Sequence, residues 1–313
     1  MRAIGVKEYG GPEMLEEVDL PAEPIGPGKV RLRVTAATVN PADILARTGA
    51  YEAAGRPEAY VDVPGLEVAG VVTEVGAGVS TGVAVGDRVM GIVVRSGTHG
   101  AYREDIVLPA RSVVAVPAGA SDIEAATLPM NGLTALQTLD LLALSPGRVL
   151  AVTGAAGAVG GYVVQLAKVA GLTVAADAHE ADEELVRKLG ADVVVRRGGD
   201  VAERFRAAFP DGVDGLADAA RLDAAILTAV RDGGAVASLR GFPGDGQRGL
   251  QVARPIVSTY AEEWEKLDSL RRLAEEGKLS LRVADTYPAG EAAEAHRRFE
   301  AGGVRGRLVL VFA

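Results

Sequence analysis

The sequence predicts an α/β protein in two parts, and three observations lead there. Its 313 residues exceed the usual size of one compact domain. Residues 1–120 consist of short β-branched runs broken by Gly, Pro and Asp, the pattern of an antiparallel barrel or sandwich. From about Arg148 onward, apolar β-prone runs alternate with helical ones, the pattern of right-handed βαβ units and a parallel sheet.

The elements follow in order. RAIGV, KVRLRVTAATV, AGVVTEVG, DRVMGIVV and DIVLPARSVVAV read as strands, and PAEPIGPGK as a loop between the first of them. The texture changes at SDIEAATLPMNGLTALQTLDLL, where Ser121 and Glu124 have capping-box spacing at a helix start. RVLAVTG is then a strand and GGYVVQLAKVAG a helix, LTVAAD a strand and DEELVRKLG a helix. DVVVR, GVDGLADA and GAVASL are further strands, with LDAAILTAVRD as a helical run before the last. In the tail, WEKLDSLRRLAEEGKL is an amphipathic helix with Leu267, Leu270 and Leu273 on one side and Gly277 as its stop. LRVADTYP is extended, EAAEAHRRFEAG is a helix ended by Gly302, and GRLVLVFA is a terminal strand.

One strand–turn–helix stretch carries a chemical signal. After LAVTG come Ala155, Ala156, Gly157, Ala158, Val159 and Gly160, with Gly157 and Gly160 at the last two glycine places of G-x-G-x-x-G and Ala155 at the first. Small residues there permit a tight turn, close approach of backbone N–H groups to a pyrophosphate, and close helix–strand packing. In a chain with 40 glycines the same residues also suit a close-packed turn without a ligand. Asp177 closes the second strand twenty positions after Gly157, where a carboxylate bonds the adenosine ribose. The combination points to a nicotinamide dinucleotide. Asp177 favours NADH, because it repels a 2′-phosphate and the following AHEADEE offers no cation. Arg197, after DVVVR, is either a phosphate ligand or a solvated loop charge.

Composition narrows the rest. Net charge is −9 and no basic run stands out, which argues against a nucleic-acid partner. There is no cysteine, so disulfides, Cys-ligated zinc and thiolate catalysis are excluded. His99, His179 and His296 are scattered without metal-ligand spacing. No apolar run approaches ~20 residues, so no membrane span is expected, and a cytoplasmic location fits best.

The whole chain resembles the medium-chain dehydrogenase/reductase superfamily, in its zinc-free quinone oxidoreductase and enoyl reductase branch. The resemblance rests on VTAATVNPADILARTGAY, PGLEVAGVVTEVGAGV, VGDRV, HGAYRED, AATLPMNGLTALQTL, TGAAGAVG, LGAD and GRLVLVF, in that order. It implies a GroES-like β-barrel catalytic domain from 1–120 and 266–313, with a Rossmann doubly wound parallel sheet from 121–265. Zinc-dependent relatives carry Cys at the place of Asn40 and His at the place of Leu66, so no metal is expected. The implied reaction is NAD(P)H-dependent hydride transfer to a quinone or α,β-unsaturated carbonyl, NADPH being common in the family. The alternatives are a biosynthetic enoyl reductase for a specialised substrate and a non-catalytic dinucleotide-binding protein.

The resemblance also supplies candidate residues. Asn40 is a candidate donor to the acceptor oxygen, or a turn starter. Tyr51 is a candidate proton donor or cover for a quinone, where relatives have a second tyrosine at the place of Leu45. Thr134 falls near the nicotinamide, and Leu239 and Gly241, flanking Arg240, fall beside its carboxamide. Arg240 itself is either a ligand for an acidic substrate group or solvent-facing. Arg307 stands where relatives usually have Lys. Asp43 and Glu67 are expected to be structural, bonded to Arg47 or Arg88. A homodimer through the edge of the Rossmann sheet, near GAVASL and FPGDGQRGLQVARPIV, is implied as well.

Overall fold

The computed structural model describes residues 1–50 and 61–313. The backbone divides into two compact units: residues 1–130 with 258–276 and 281–313, and residues 131–257 with 277–280.

The first unit opens with an antiparallel ribbon of β1 (Arg2–Gly5) and β2 (Glu16–Asp19). Its spine is β3 (Lys29–Thr38), where Val30, Leu32 and Val34 alternate into the core. A short helix, α1 (Pro41–Arg47), follows at once, with Pro41 at its first position, where the missing N–H costs nothing. Then come β4 (Glu67–Val75), β5 (Arg88–Ile92), β6 (Asp105–Pro109) and β7 (Val113–Ala115). DIVLPARSVVAV is thus two strands, split by a 3₁₀ turn over Ala110–Ser112 after Pro109. In α2 (Asp122–Ala125) the Ser121–Glu124 capping box is formed. The boundary between the units falls inside α3 (Pro129–Leu142).

The second unit alternates β8 (Val149–Thr153), α4 (Ala158–Val169), β9 (Thr173–Ala178), α5 (Glu183–Lys188), β10 (Val193–Arg196), α6 (Val201–Ala208), β11 (Val213–Asp218), β12 (Val230–Ser238) and β13 (Gln251–Ala253). All six strands are parallel, in the order β10-β9-β8-β11-β12-β13. The chain winds outward from β8 on one side, then returns to β11 on the other. That reversal places a crevice at the carboxyl ends of β8 and β11. Strands covered on both faces need apolar residues at every position, and Leu150, Ala151 and Val152 of β8 are all fully buried. The run LDAAILTAVRD is not an α-helix. Asp223–Ala229 forms 3₁₀ turns and Val230 already begins β12.

The remaining elements are α7 (Trp264–Glu275), β14 (Val283–Pro288), α8 (Ala292–Glu300) and β15 (Arg307–Val311). In the first unit's seven-stranded sheet, β14-β15-β3-β4-β5-β7 lie in sequence and β6 also pairs with β3. The antiparallel β15–β3 pairing sets Val309 opposite Thr38 and brings the chain's last strand against the segment leading to α1. Val30, Leu32, Val68, Val89, Ile106 and Leu310 belong to one buried cluster under this sheet. Each contributes roughly 1.5–3 kcal/mol of transfer free energy.

Candidate functional site

In the second unit, β8 ends at Thr153 and Gly154 turns the chain with φ +67°. A left-handed residue is what a turn this tight requires, and only glycine adopts it without strain. Gly157 caps α4 in extended conformation, and Ala158 and Val159 open the helix. The first N–H groups of a helix have no partner within it, so this end of α4 offers donors to an anion. A Cβ on Gly160 would lie 2.3 Å from the Gly154 carbonyl oxygen, so helix and turn meet there only because the side chain is absent. Ala155 is fully buried, and its methyl group is accommodated. Gly154, not Ala155, supplies the backbone freedom. The Thr-Gly step directly after the strand was the available sequence signal.

Asp177, near the end of β9, is 1% exposed. Its Oδ1 accepts the Gly154 N–H at 2.6 Å, which ties the second strand to the turn. Oδ2 is buried without a hydrogen-bond partner, and the Arg197 Nε stands 3.5 Å from it. Burial raises the Asp177 carboxyl above its ordinary range, opposed by the Arg197 charge and by the Gly154 and Ala155 N–H groups. Arg197 is therefore a neighbour of Asp177 rather than a loose loop charge. A buried acceptor beside a glycine turn fits the ribose of a dinucleotide, and the Gly160 cradle fits its pyrophosphate.

At the crevice, Asp218 closes β11. Its Oδ1 accepts the Thr153 hydroxyl at 2.6 Å, and its Oδ2 accepts the Leu222 and Asp223 N–H groups at 2.9 Å each. It fixes the segment after β11, where Arg221 and Asp223 have positive φ, and sequence reasoning missed it. Beyond β12, the Leu239 N–H bonds the Asp218 carbonyl at 3.2 Å. Gly241 has φ +87°, and the Arg254 side chain fills the space a Cβ would take. Arg240 is exposed, and Thr134 is half-buried in α3.

The first unit holds a separate buried polar cluster. Glu67 begins β4 and is fully buried. Its Oε1 accepts the Thr38 hydroxyl and, at 3.1 Å, the Asn40 Nδ2, while its Oε2 accepts the Met130 N–H at 2.9 Å. Burial raises the Glu67 carboxyl and the nearby Arg307 guanidinium opposes that. Asn40 Nδ2 is also 3.0 Å from Thr38 Oγ1, which itself donates to Glu67 Oε1, so one amide N–H points between the two oxygens. Oδ1 is buried without a hydrogen-bond partner. The structure brings Asn40 and Arg307 together around Glu67. Arg47 and Arg88 do not serve Asp43 or Glu67: Arg47 pairs with Glu300 and Arg88 with Asp122. Tyr51 lies outside the described residues.

The comparisons with known proteins fit this architecture. The Alcohol dehydrogenase GroES-like domain matches residues 26–118, and a Zinc-binding dehydrogenase model matches residues 189–310. A quinone oxidoreductase of Pseudomonas aeruginosa is 33% identical across 99% of this chain and 99% of its own. The chain is a medium-chain dehydrogenase/reductase. It is also 30% identical to a 2-methylene-furan-3-one reductase of Solanum lycopersicum, over 99% of this chain and 79% of that one. A mycobacterial protein solved in complex with NADPH has a TM-score of 0.85 and 29% identity, covering 99% of this chain and 100% of that one. This member of the superfamily is an oxidoreductase with a GroES-like unit and a Rossmann unit.

Asn40 and Leu66 stand at the two places noted above, and the chain has no cysteine. Among the described residues, no group of three or more His, Cys, Asp or Glu side chains is placed to hold a metal ion. No helix among them is long and apolar enough to cross a membrane.

Proposed function

We propose that this medium-chain dehydrogenase/reductase reduces a quinone or an α,β-unsaturated carbonyl with a nicotinamide dinucleotide, without a metal, and prefers NADH. The observation that carries the reading is Asp177: a buried carboxylate with one oxygen on the turn and the other without a hydrogen bond. The bound dinucleotide supplies the hydride. The Rossmann unit holds it through the N–H groups after Gly157 and through Asp177 Oδ2 on the ribose.

For the cofactor, a 2′-phosphate would meet Asp177, with Glu180 and Asp182 close behind in sequence. Arg197 is drawn to Asp177, which weakens it as a phosphate ligand. The NADPH-bound mycobacterial relative supports the opposite preference, and side-by-side rates decide between them. For the acceptor, the quinone and enone substrates in the names of the two relatives support the class. Hydride arrival leaves negative charge on an oxygen, which needs a donor. Asn40 is the proposed donor to that oxygen through its other N–H, and Tyr51 or solvent is the proposed proton source. Two copies are proposed to associate through β13, the edge of the parallel sheet, beside the exposed Ile256. A cytoplasmic site of action is proposed with it.

The test is initial rates of NADH and NADPH oxidation with a simple quinone and a simple conjugated enone. NADH-preferring turnover supports the whole reading. NADPH-preferring turnover keeps the reductase and overturns the role given to Asp177. Tight cofactor binding without turnover points instead to a dinucleotide-binding protein.

A further inference from the structure

A second set of buried titratable side chains lies beneath α1. Asp43, in the first turn of that helix, is fully buried. Its Oδ2 accepts the Asn40 backbone N–H at 2.7 Å, and its Oδ1 accepts the Gly65 N–H at 2.8 Å. Gly65 lies two residues before Glu67. One carboxylate therefore ties together the two segments whose side chains meet as the Asn40–Glu67 pair. The Gly65 segment has little freedom of its own, with φ +105° and Ala101 2.7 Å from where a Cβ would lie.

Tyr102 and His296 stand behind Asp43. The Tyr102 hydroxyl is 3.4 Å from Asp43 Oδ2 and 3.1 Å from His296 Nε2. A carboxylate only accepts, so Tyr102 donates to Asp43 and takes the His296 Nε2–H in turn. His296 Nδ1 is then the bare acceptor, and it has no partner. The Asn40 and Gly65 N–H groups and the Tyr102 hydroxyl all point at Asp43, and the His296 N–H supports the Tyr102 oxygen behind them. Burial works against that anion and pushes Asp43 up to about 7, with Glu67 on β4 adding repulsion and Arg95 offsetting part of it. His296, facing it from α8, is pushed down to about 3 by burial and by Arg47, and is neutral. Burial raises the Tyr102 phenol well above its ordinary value, with Asp43 and Glu67 adding to this and Arg307 on β15 opposing it.

We propose that Asp43 is a positioning residue for hydride transfer: as an anion it holds Asn40 and Glu67 in the arrangement turnover requires, and Tyr102 with His296 keeps it anionic. This rests on the reductase reading above. Asp43 makes no contact with reacting atoms and exchanges no proton with them.

The experiment is kcat against pH, from about 5.5 to 8.5, for wild type, Tyr102→Phe and Asp43→Asn, with reduced-cofactor affinity followed by fluorescence. Wild-type kcat is expected to rise with pH through a limb centred near 7. Tyr102→Phe removes one donor, so the limb moves up by roughly half a unit and kcat near pH 6 falls about threefold, with little change near pH 8.5. Asp43→Asn accepts only one of the two N–H groups, and its kcat is low and flat. Cofactor affinity is unchanged in both, because the dinucleotide turn belongs to the other unit. A purely structural role lowers kcat by one factor at every pH. A flat wild-type profile, or a Tyr102→Phe profile parallel to wild type, overturns the proposal. Should neither variant fold, wild-type NMR decides: the Asn40 and Gly65 amide proton shifts titrate together with an inflection near 7 if the proposal holds, and pH-independent shifts overturn it. Cofactor binding without turnover on any acceptor overturns the reductase reading and this inference with it, whereas turnover without the limb overturns the inference alone.

Discussion

Gly160 and Glu67 show how little slack the two units leave at single positions. At Gly160 a methyl group would enter the Gly154 carbonyl, 2.3 Å away, and neither the turn nor α4 can yield without moving the N–H groups proposed to hold a pyrophosphate. Gly160→Ala is therefore expected to cost roughly 1–3 kcal/mol of stability. It should also weaken dinucleotide binding by about tenfold or more for a loss near 1.4 kcal/mol. Denaturant unfolding and a cofactor fluorescence titration check the two parts separately. Glu67 is a different kind of constraint. It accepts from Thr38, Asn40 and Met130 while facing Arg307, so a neutral amide in its place turns a donor toward a donor and removes a negative charge near that buried cation. Glu67→Gln is expected to destabilise by about 3–5 kcal/mol, read from the urea midpoint, whereas Glu67→Asp retains the charge and loses less.

At the scale of elements, α1 is held from behind by α8. Arg47, 1% exposed at the last turn of α1, donates to the Gly10 carbonyl at 2.8 Å and pairs with Glu300. Arg47→Met keeps the apolar stem and removes these bonds, so a loss of about 1–3 kcal/mol is expected. The Arg47 charge also helps hold His296 low, so the same variant should raise the His296 pKa from about 3. An NMR titration of the imidazole checks this without reference to activity. The sequence could not show that tie, since 253 residues separate Arg47 from Glu300 and 194 separate Tyr102 from His296. Local signals fared better. The β8–α4 turn, the Ser121–Glu124 cap, the glycine stops at Gly277 and Gly302 and most strands were legible because period and turn chemistry are properties of neighbours. The misreadings arose where distant groups decide. LDAAILTAVRD has helical spacing, but Asp218 captures the Leu222 and Asp223 N–H groups and Val230 is drawn into β12. Asp43 and Glu67 were expected to bond Arg47 or Arg88. Their partners proved to be backbone N–H groups and Thr38, Asn40 and Met130, not nearby arginines.

For the molecule as a whole, the buried pair Asp43 and His296 makes a prediction about stability against pH. Asp43 is raised from 3.8 to about 7, so the folded chain binds its proton more readily than the unfolded chain. Its contribution is fully present below about 3.8 and is lost as pH rises toward 7. His296 is lowered from 6.5 to about 3, so the unfolded chain takes its proton first. That contribution is present above 6.5 and is lost as pH falls toward 3. Between roughly pH 4 and 6.5 the two slopes oppose each other, each about 1.4 kcal/mol per unit at most, and wild type feels mainly their difference. Removing one should expose the other. Relative to wild type, Asp43→Asn is expected to gain stability as pH rises across this window, and His296→Gln to lose it. Thermal midpoints at a series of pH values, taken as differences from wild type, test both at once. Differences of the same sign for the two variants, or differences independent of pH, would show that burial does not shift Asp43 up and His296 down.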